Sequence, residues 1–256
     1  MNEAPTAATK AQPESVALFV SDLHLHAGAP RTTEAFFHFL QTEATQAQAL
    51  YLLGDIFEYW AGDDDLQTPF NQGVCKALRA LSVRGVKLYW IAGNRDFLAG
   101  PTFAAEAGVI LLNEPHVIEI AGGKILLVHG DAQCTDDVTY MAFRAQVRDP
   151  SWQRTFLAKT LAERKAIIEG MREGSRAAQK EKSMEIMDVN LFEIERLYSG
   201  YGVTRMIHGH THRPGVHQTA GGVRYVLPDW DCDTDLPRGG WITVNTEGQI
   251  RSCSVV

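Results

Sequence analysis

Five short segments of this sequence each place metal-ligand side chains directly after a short apolar run. They are Asp22-Leu23-His24, Gly54-Asp55, Gly93-Asn94-Arg95-Asp96, His129-Gly130-Asp131 and Gly209-His210-Thr211-His212. Each apolar run is typical of a buried strand, and ligands of open α/β sheets gather at the carboxyl ends of the strands. The five segments are therefore expected to meet at one edge of a sheet. One such segment alone is weak support, but the five together predict a site for two metal ions.

Strands and helices alternate in the first half of the chain. Apolar runs predict strands at residues 16–21, 49–53, 86–92, 124–129 and 205–208, and helical patterns at 32–47 and 70–83. This alternation is typical of parallel βαβ units with helices covering the sheet. Gly-rich turns separate the later predicted strands, which are expected to form hairpins at 116–120, 124–129, 223–227 and 241–245. The predicted fold class is α/β, a four-layer αββα sandwich with two sheets face to face and helices outside.

The chain is expected to contain one core domain with a helical insertion. The predicted boundaries are a disordered tail at 1–15, a core at 16–137 and 199–256, and an insertion at 138–198. Between residues 138 and 187 there are ten Lys or Arg and six Asp or Glu, although the whole chain has a net charge of −7. This difference in charge marks the stretch as a distinct unit.

The insertion follows His129 and precedes His210, so it interrupts the metal segments. A helical insertion at that place is predicted to lean over the site as a lid, and the alternative is a helical elaboration packed on the core. Asp149-Pro150 is expected to break the helical pattern once, and Gly170 and Gly174 are expected to break it again.

Composition narrows the class of protein. The hydrophobic fraction of 45% is ordinary for a soluble globular chain, and no apolar run approaches the roughly 20 residues that span a bilayer. The first 15 residues contain no apolar core of a signal peptide, which favours a disordered tail. Four cysteines without a CxxC pair indicate free thiols in a reducing cytosol. The negative net charge argues against non-specific nucleic-acid binding.

Seven side chains from the five segments are the predicted metal ligands. One ion is assigned Asp22, His24, Asp55 and His212, and the other is assigned Asp55, Asn94, His129 and His210. Neutral imidazoles with carboxylate and amide oxygens suit Mn, Fe, Co or Zn. Water held between two such ions becomes a nucleophile near neutral pH, and paired divalent ions serve the hydrolysis of phosphate esters and anhydrides.

Other polar residues near these segments receive different predictions. Asp96 and Asp131 follow ligand residues and are expected to orient them. His208 ends its strand and is expected to point away from the ions. The acidic run at 63–65 is interpreted as a solvated turn and not as a third metal site.

The order D-x-H, G-D, G-N-H-D/E, H-G-D and G-H-x-H resembles the pattern of the calcineurin-like metallophosphoesterases, from Asp22 to His212. The chain departs from that pattern at one position, where Arg95 replaces the usual His. With Arg95 at this position, the sequence resembles one subfamily, a group of pyrophosphohydrolases. The segments at 62–65, 129–137, 186–190 and 208–214 resemble the same subfamily. The resemblance covers about residues 16–240, which is nearly the whole chain.

The resemblance implies hydrolysis of UDP-2,3-diacylglucosamine to UMP and 2,3-diacylglucosamine 1-phosphate, a step of lipid A biosynthesis. It implies two Mn²⁺ per chain and a lid that holds the acyl chains. The protein is further expected to be a monomer that binds no nucleic acid and lies peripherally at the cytoplasmic face of the inner membrane. Catalytic roles fall on Asn94, Arg95 and His210. Substrate contacts fall on Asn94, Arg95, Asp137, Ser175, Gln179, Lys182 and His210.

Arg95 favours cleavage of an anhydride over cleavage of an ester. The alkoxide that leaves a phosphomonoester benefits from a general acid, a role that His can fill, whereas Arg stays protonated and cannot give up its proton. A pyrophosphate instead releases a phosphate monoester, whose second pKa is about 6. That leaving group needs neutralisation of its charge, which a guanidinium fork supplies well.

Two rival functions and two roles for the insertion stay open at this point. A nucleotide or dinucleoside-polyphosphate pyrophosphohydrolase of the same fold would need no large apolar cover. A non-catalytic scaffold would be expected to lose metal ligands, yet all seven are present. Within the insertion, Trp152, Phe156 and Leu157 either line an acyl groove or pack the insertion on the core, and Arg172 and Lys182 are candidates to meet phosphate.

Overall fold

The computed structural model describes the backbone of residues 15–181 and 188–255, and the side chains of residues 16–174 and 188–255. Two predictions fall outside the described residues, namely residues 1–14 of the tail and the substrate contact Lys182. The side chains of Ser175 and Gln179 lie outside them as well.

The described backbone forms eleven strands and seven α-helices. The strands are β1 (Ser15–Val20), β2 (Ala47–Leu53), β3 (Lys87–Ile91), β4 (Val109–Leu111), β5 (His116–Ile120), β6 (Gly123–Leu127), β7 (Arg205–His208), β8 (Gly215–Gln218), β9 (Val223–Val226), β10 (Gly240–Asn245) and β11 (Ile250–Ser254). The helices are α1 (Pro30–Gln41), α2 (Pro69–Val83), α3 (Pro101–Ala107), α4 (Val138–Arg148), α5 (Pro150–Leu157), α6 (Leu161–Glu181) and α7 (Leu191–Tyr201). None of these helices is long and apolar enough to cross a bilayer.

The strands form two sheets. The first has the order β11-β10-β1-β2-β3-β4, with β1 to β4 parallel and β10 and β11 antiparallel to their neighbours. The second has the order β5-β6-β7-β9-β8, with β6, β7 and β9 parallel. The predicted hairpin of β5 and β6 is confirmed. The expectation of a hairpin between β9 and β10 is wrong, because β9 pairs with β8 and β10 joins the first sheet.

Three hydrophobic clusters set the order of the layers. Successive residues of a strand point to opposite faces of the sheet. Leu18 of β1 therefore belongs to the cluster with Phe36 of α1 and Phe103 of α3. The next residue, Phe19, belongs to the cluster between the two sheets, with Leu127 of β6. The far face of the second sheet packs on α7, where Ile194 belongs to the third cluster. The layers therefore run helix, sheet, sheet, helix, which confirms the predicted four-layer sandwich.

The predicted insertion at 138–198 spans α4, α5, α6 and most of α7, but α7 packs on the second sheet as an outer layer of the core. The name insertion therefore refers to α4, α5 and α6. The first predicted break is confirmed, since Asp149 ends α4 and caps α5 by accepting from the N–H groups of Ser151 and Trp152. The predicted break at Gly170 and Gly174 is wrong, because α6 runs through both. An added Cβ at either glycine would meet no atom within 4 Å, so both face open space. An exposed helical glycine costs about 1 kcal/mol, which does not stop a helix of 21 residues.

Candidate metal centre

The five metal segments form loops at the carboxyl ends of the strands, and backbone hydrogen bonds tie the first two loops together. The N–H of Asp22 donates to the Gly54 carbonyl and the N–H of His24 donates to the Asp55 carbonyl, both at 3.0 Å. Six non-glycine residues of the described chain have positive φ, and five of them are predicted ligands: Asp22, His24, Asp55, His210 and His212. Such left-handed conformations cost energy and gather at functional sites. The geometry therefore holds these side chains in place by the backbone itself.

A first group of donors contains Asp22, His24 and His212, with one ligand atom from each within 4.8 Å of the others. Nε2 of His24 lies 3.3 Å from Nε2 of His212, and Nε2 of His212 lies 3.5 Å from Oδ1 of Asp22. Both rings thus turn the same nitrogen toward the buried carboxylate.

A second group contains Asp22, Asp55 and His129. Nε2 of His129 lies 3.7 Å from Oδ1 of Asp55 and 3.1 Å from Oδ1 of Asn94. Oδ1 of Asn94 also lies 2.9 Å from Nδ1 of His210. The structure therefore brings all seven predicted ligands together. It places Asp22 in both groups, beside Asp55, which the sequence predicted as the shared ligand.

The remaining ring nitrogens have partners of their own. Nδ1 of His129 lies 2.8 Å from the Leu53 carbonyl, Nδ1 of His24 lies 3.3 Å from Oε2 of Glu58, and Nδ1 of His212 lies 3.5 Å from Oδ2 of Asp229. A metal-binding imidazole usually donates its other N–H to a carbonyl or a carboxylate. The His129 ring follows that rule with a hydrogen bond, whereas Nδ1 of His24 and of His212 faces a carboxylate without hydrogen-bond geometry. All three rings present Nε2 to the centre.

The carboxylates make this centre favourable for positive charge. Burial alone would lower the pKa of His129, but Asp55 and Asp22 raise it to about 9. Burial would raise the pKa of Asp22, yet the imidazoles of His212 and His129 hold it below its usual range. Burial and the neighbouring His129, which disfavour a second imidazolium, lower the pKa of His210 to about 4. A ring that is neutral at pH 7 is ready to bind a cation.

These residues fit divalent metal ions. Oδ1 of Asp22 is buried and has no hydrogen-bond partner among the described residues, and the 3.5 Å to His212 is long for a hydrogen bond. A buried carboxylate oxygen without a donor is costly, and a cation would satisfy it. The donor set of carboxylates, one amide oxygen and neutral imidazoles suits first-row divalent ions.

Asp96 and Asp131 hold loops and helices and do not contact the ligand rings directly. Asp96 accepts from the N–H groups of Gly93 and Ile56, each at 2.8 Å, and so joins two metal loops. Burial and the charge of Asp55 raise the pKa of Asp96 to about 6. Asp131 accepts from Tyr140 and Arg144 of α4, each at 2.8 Å. Asp96 thus acts on the loops that carry the ligands through their backbone, whereas Asp131 binds side chains of α4, and orientation of the ligand side chains by either residue stays a prediction.

The acidic run 63–65 is not a solvated turn, so that prediction is wrong. Asp63 accepts from the N–H groups of Thr102 and Phe103 at the start of α3. Asp65 is buried and lies 2.6 Å from Nζ of Lys165 on α6. Asp64 pairs with Arg164 of the same helix. This run therefore attaches the insertion to the core.

A cavity of about 680 Å³ opens from the metal centre toward the insertion. One end is lined by His24, Asp55, Asn94, Arg95 and His210. The other end is lined by apolar side chains of the insertion, namely Phe143, Val147, Trp152, Phe156, Ile168 and Met171. Of the predicted substrate contacts, Asn94, Arg95, Asp137 and His210 line this cavity. Leu157 is not among its lining residues, and its side chain lies next to Gly62.

Sequence reasoning missed two acidic residues beside the ligand rings, Glu58 and Asp229. Glu58 lies three positions after Asp55, so its closeness to that segment was a usable signal. Asp229 lies 17 positions after His212, and only the pairing of β9 with β7 brings it near. No local pattern marks it.

Comparison with known proteins agrees with this geometry. Residues 16–214 match the calcineurin-like phosphoesterase family. The UDP-2,3-diacylglucosamine hydrolase of Aromatoleum aromaticum is 51% identical over 226 residues, which is 87% of this chain and 92% of that protein. Proteins of the same name from Bordetella pertussis and an Enterobacter species are each 48% identical over 235 residues, 89% and 90% of this chain and 91% and 95% of their own. The chain therefore belongs to the calcineurin-like phosphoesterases and, within them, to the family of the UDP-2,3-diacylglucosamine hydrolases.

Proposed function

We propose that this protein hydrolyses the pyrophosphate bond of UDP-2,3-diacylglucosamine and releases UMP and 2,3-diacylglucosamine 1-phosphate. The observation that carries the proposal is the cavity of about 680 Å³, which has the metal-ligand side chains at one end and apolar side chains at the other. Such a cavity matches a substrate with a charged diphosphate and long acyl chains. The name of the relatives at 48–51% identity supports the same substrate. A nucleotide or dinucleoside polyphosphate would leave the apolar end without a partner.

Two Mn²⁺ ions are the proposed cofactors. Asp22, His24, Asp55 and His212 would hold one ion, and Asp55, Asn94, His129 and His210 would hold the other. A pair of divalent ions, when bound, supplies positive charge for phosphate oxygens and lowers the pKa of water. The identity and number of the ions are part of the proposal.

Arg95 is proposed to neutralise the departing phosphate. Its side chain lines the cavity, and its backbone is fixed because its N–H donates to Oδ1 of Asp55 at 2.7 Å and its carbonyl accepts from Trp60 at 3.0 Å. Among the described side chains, no carboxylate lies at ion-pair distance from the Arg95 guanidinium. That guanidinium therefore keeps its donors for a phosphate group.

Asn94 and His210 are proposed to act beside Arg95. Oδ1 of Asn94 lies 3.1 Å from Nε2 of His129 and 2.9 Å from Nδ1 of His210, so these three atoms face one another and would hold the same ion. Its NH₂ group is left to donate to a phosphate oxygen. Asp137, Ser175, Gln179 and Lys182 complete the proposed substrate contacts.

The insertion is proposed to act as a lid over the acyl chains, at the cytoplasmic surface of the inner membrane. The proposed substrate is a lipid whose acyl chains lie in the membrane. Apolar side chains of the insertion line the cavity and could contact those chains. Flotation of the protein with phospholipid vesicles would test the membrane contact, and sedimentation would test the proposed monomer.

The proposed function is tested by release of UMP from UDP-2,3-diacylglucosamine in the presence of Mn²⁺. We expect turnover with the acylated substrate, no turnover after chelation, and little turnover with UDP-glucosamine, which lacks acyl chains. Equal turnover of the two substrates, or preferred turnover of a dinucleoside polyphosphate, would refute the proposal.

A further inference from the structure

Three side chains form a row from the insertion to a proposed metal ligand. Arg172 of α6 contacts Glu58 through Nη2 and Oε1, and Oε2 of Glu58 lies 3.3 Å from Nδ1 of His24. The other nitrogen of that ring, Nε2, faces Nε2 of His212 at 3.3 Å. The row therefore runs from the insertion to the side of the His24 ring opposite the centre.

Backbone hydrogen bonds fix the spacing between Glu58 and His24. The N–H of Glu58 donates to the Leu25 carbonyl at 3.1 Å, and the N–H of Leu25 donates to the Ile56 carbonyl at 2.9 Å. These bonds join the loop that carries His24 to the loop that carries Glu58. The contact is thus built into the two loops and does not depend on a flexible side chain alone.

A second row, of the same three residue types, leads to His212, which belongs to the same donor group as His24. Oδ2 of Asp229 lies 3.5 Å from Nδ1 of His212 and accepts from Nε of Arg238 at 2.8 Å. Arg238 belongs to the core, where it also forms a backbone bridge with Asp231. Among the described residues these are two His–carboxylate–Arg rows, of which the first reaches the insertion and the second stays within the core.

The two rows differ in exposure to solvent. The side chains of His24, Glu58 and Arg172 are 20%, 17% and 15% exposed. In the second row the Asp229 carboxylate is 8% exposed, but the two side chains that flank it, His212 and Arg238, are 41% and 52% exposed. Solvent and salt weaken interactions between exposed charges. Interactions within the first row are therefore stronger than those within the second.

We propose that Glu58 is a positioning residue, which orients His24 for metal binding and links this ligand to α6 through Arg172. Neutral imidazole carries its proton on one of two nitrogens, and a metal binds the other one. A carboxylate that accepts from Nδ1–H selects the form in which Nε2 is free to bind. Because Arg172 holds the second oxygen of Glu58, docking of α6 and binding of the cation favour each other. The inference rests on the proposed function only in its choice of Mn²⁺.

Titration of the full metal-stripped chain with Mn²⁺ tests the role of Glu58 without any substrate. We expect Glu58→Ala to raise the Mn²⁺ dissociation constant of the affected site roughly 10- to 100-fold, as loss of such partners does elsewhere. Glu58→Gln should lose less than Glu58→Ala and about as much as Arg172→Gln, because its amide oxygen accepts the same N–H but its NH₂ group cannot accept from Arg172. Asp229→Ala should have a smaller effect than Glu58→Ala. An unchanged dissociation constant for Glu58→Ala, or an equal loss in the Gln variant, would overturn the inference.

The link to the insertion is tested by a matched pair of arginine variants. Arg172→Gln should weaken Mn²⁺ binding measurably, whereas Arg238→Gln should leave it close to wild type because that pair is exposed. Equal effects of the two variants would overturn the link to α6. In turnover assays, Glu58→Ala should recover activity at high Mn²⁺, since the residue acts through the ligand. A loss of kcat that saturating Mn²⁺ does not restore would contradict a positioning role.

The two measurements separate this inference from the proposed function. If Glu58→Ala weakens Mn²⁺ binding but the wild-type chain does not cleave UDP-2,3-diacylglucosamine, the proposed function fails and the inference stands. If the wild-type chain cleaves that substrate and Glu58→Ala binds Mn²⁺ as tightly as wild type, the inference fails and the function stands.

Discussion

The metal end of the cavity and its apolar end are held in place by different interactions. At the metal end, ligand side chains stand on loops whose backbone groups bond to one another, as Asp22 bonds to Gly54 and His24 to Asp55. At the apolar end, the described part of the insertion reaches the core through side chains alone: Phe156 is buried in the main core cluster, and ion pairs join Arg144 with Asp131 and Lys165 with Asp65. Backbone-anchored groups have little freedom, whereas long side chains can rearrange and pair again.

We infer from this difference that the metal end serves the reaction and the apolar end serves substrate recognition. Sites built on strand ends hold their geometry closely, so a change at the metal end is expected to alter kcat and metal content. Helices attached through side chains can adjust to a bound lipid, so a change at the apolar end is expected to alter KM.

Asp55→Asn is expected to have the largest effect. The amide still accepts from the N–H of Arg95 but loses the charge beside His129. We expect loss of bound Mn²⁺ and a fall in kcat/KM of about 1,000-fold or more, because metal ions supply several kcal/mol.

A matched control is Asp63→Asn, at the carboxylate that caps α3. This variant should unfold at a lower temperature yet keep its Mn²⁺, as metal analysis and a thermal melt would show. An Asp55→Asn protein with full metal content and a wild-type rate would contradict the role assigned to the metal end of the cavity.

Arg95→His tests the chemistry apart from metal binding. The variant should bind Mn²⁺ as wild type does, and its kcat/KM for pyrophosphate cleavage should fall about 100-fold, as on loss of one transition-state donor. Arg95→Lys should fall between the two, because it keeps the charge without the fork. Unchanged kcat/KM in Arg95→His would contradict the role of the guanidinium.

The apolar end is tested by replacing Phe143 and Met171 with Ser. Both side chains line the cavity and are partly exposed to it. KM for the acylated substrate should rise about tenfold per residue, which is the scale of a lost apolar contact, with kcat little changed. Leu157→Ser is the control, since Leu157 is similarly exposed but is not a lining residue. A uniform loss of kcat in all three variants would argue against a recognition role.

Asp188→Asn is expected to have the smallest effect of these variants, on the free energy of unfolding. Asp188 lies between α6 of the insertion and α7 of the core. Burial would raise the pKa of Asp188, but the N–H of Val189 and the guanidinium of Arg224 lower it. Its stabilising effect is therefore present above the ordinary value of 3.8 and is lost as the pH falls through the lowered pKa. Urea unfolding should show a difference from wild type at pH 7 that narrows below pH 3.8. A constant difference across that range would exclude the charge as its cause.

The residues of the candidate metal centre could be brought together from sequence because their signals are local. Each follows an apolar run, as Asp55 follows β2 and His129 follows β6, so strand and ligand are identified together. Parallel strand order then brings their carboxyl ends to one edge. The same logic predicted β1, β2 and β3 of the first sheet, but it missed the edge strands β4 and β11 and placed β10 in a hairpin with β9.

The attachments of the insertion were not predictable, because their partners lie far apart in the chain. Glu58 and Arg172 are separated by 114 positions and Asp64 and Arg164 by 100. An acidic run without visible partners is usually solvated, which is why the prediction for 63–65 was wrong. Spatial proximity alone gives these residues their roles.

The most direct test of the account is the amount of Mn²⁺ that the metal-stripped chain takes up, measured together with release of UMP from UDP-2,3-diacylglucosamine. The account predicts about two ions per chain at saturation and turnover that requires both. A fully active chain with one ion or none would contradict it.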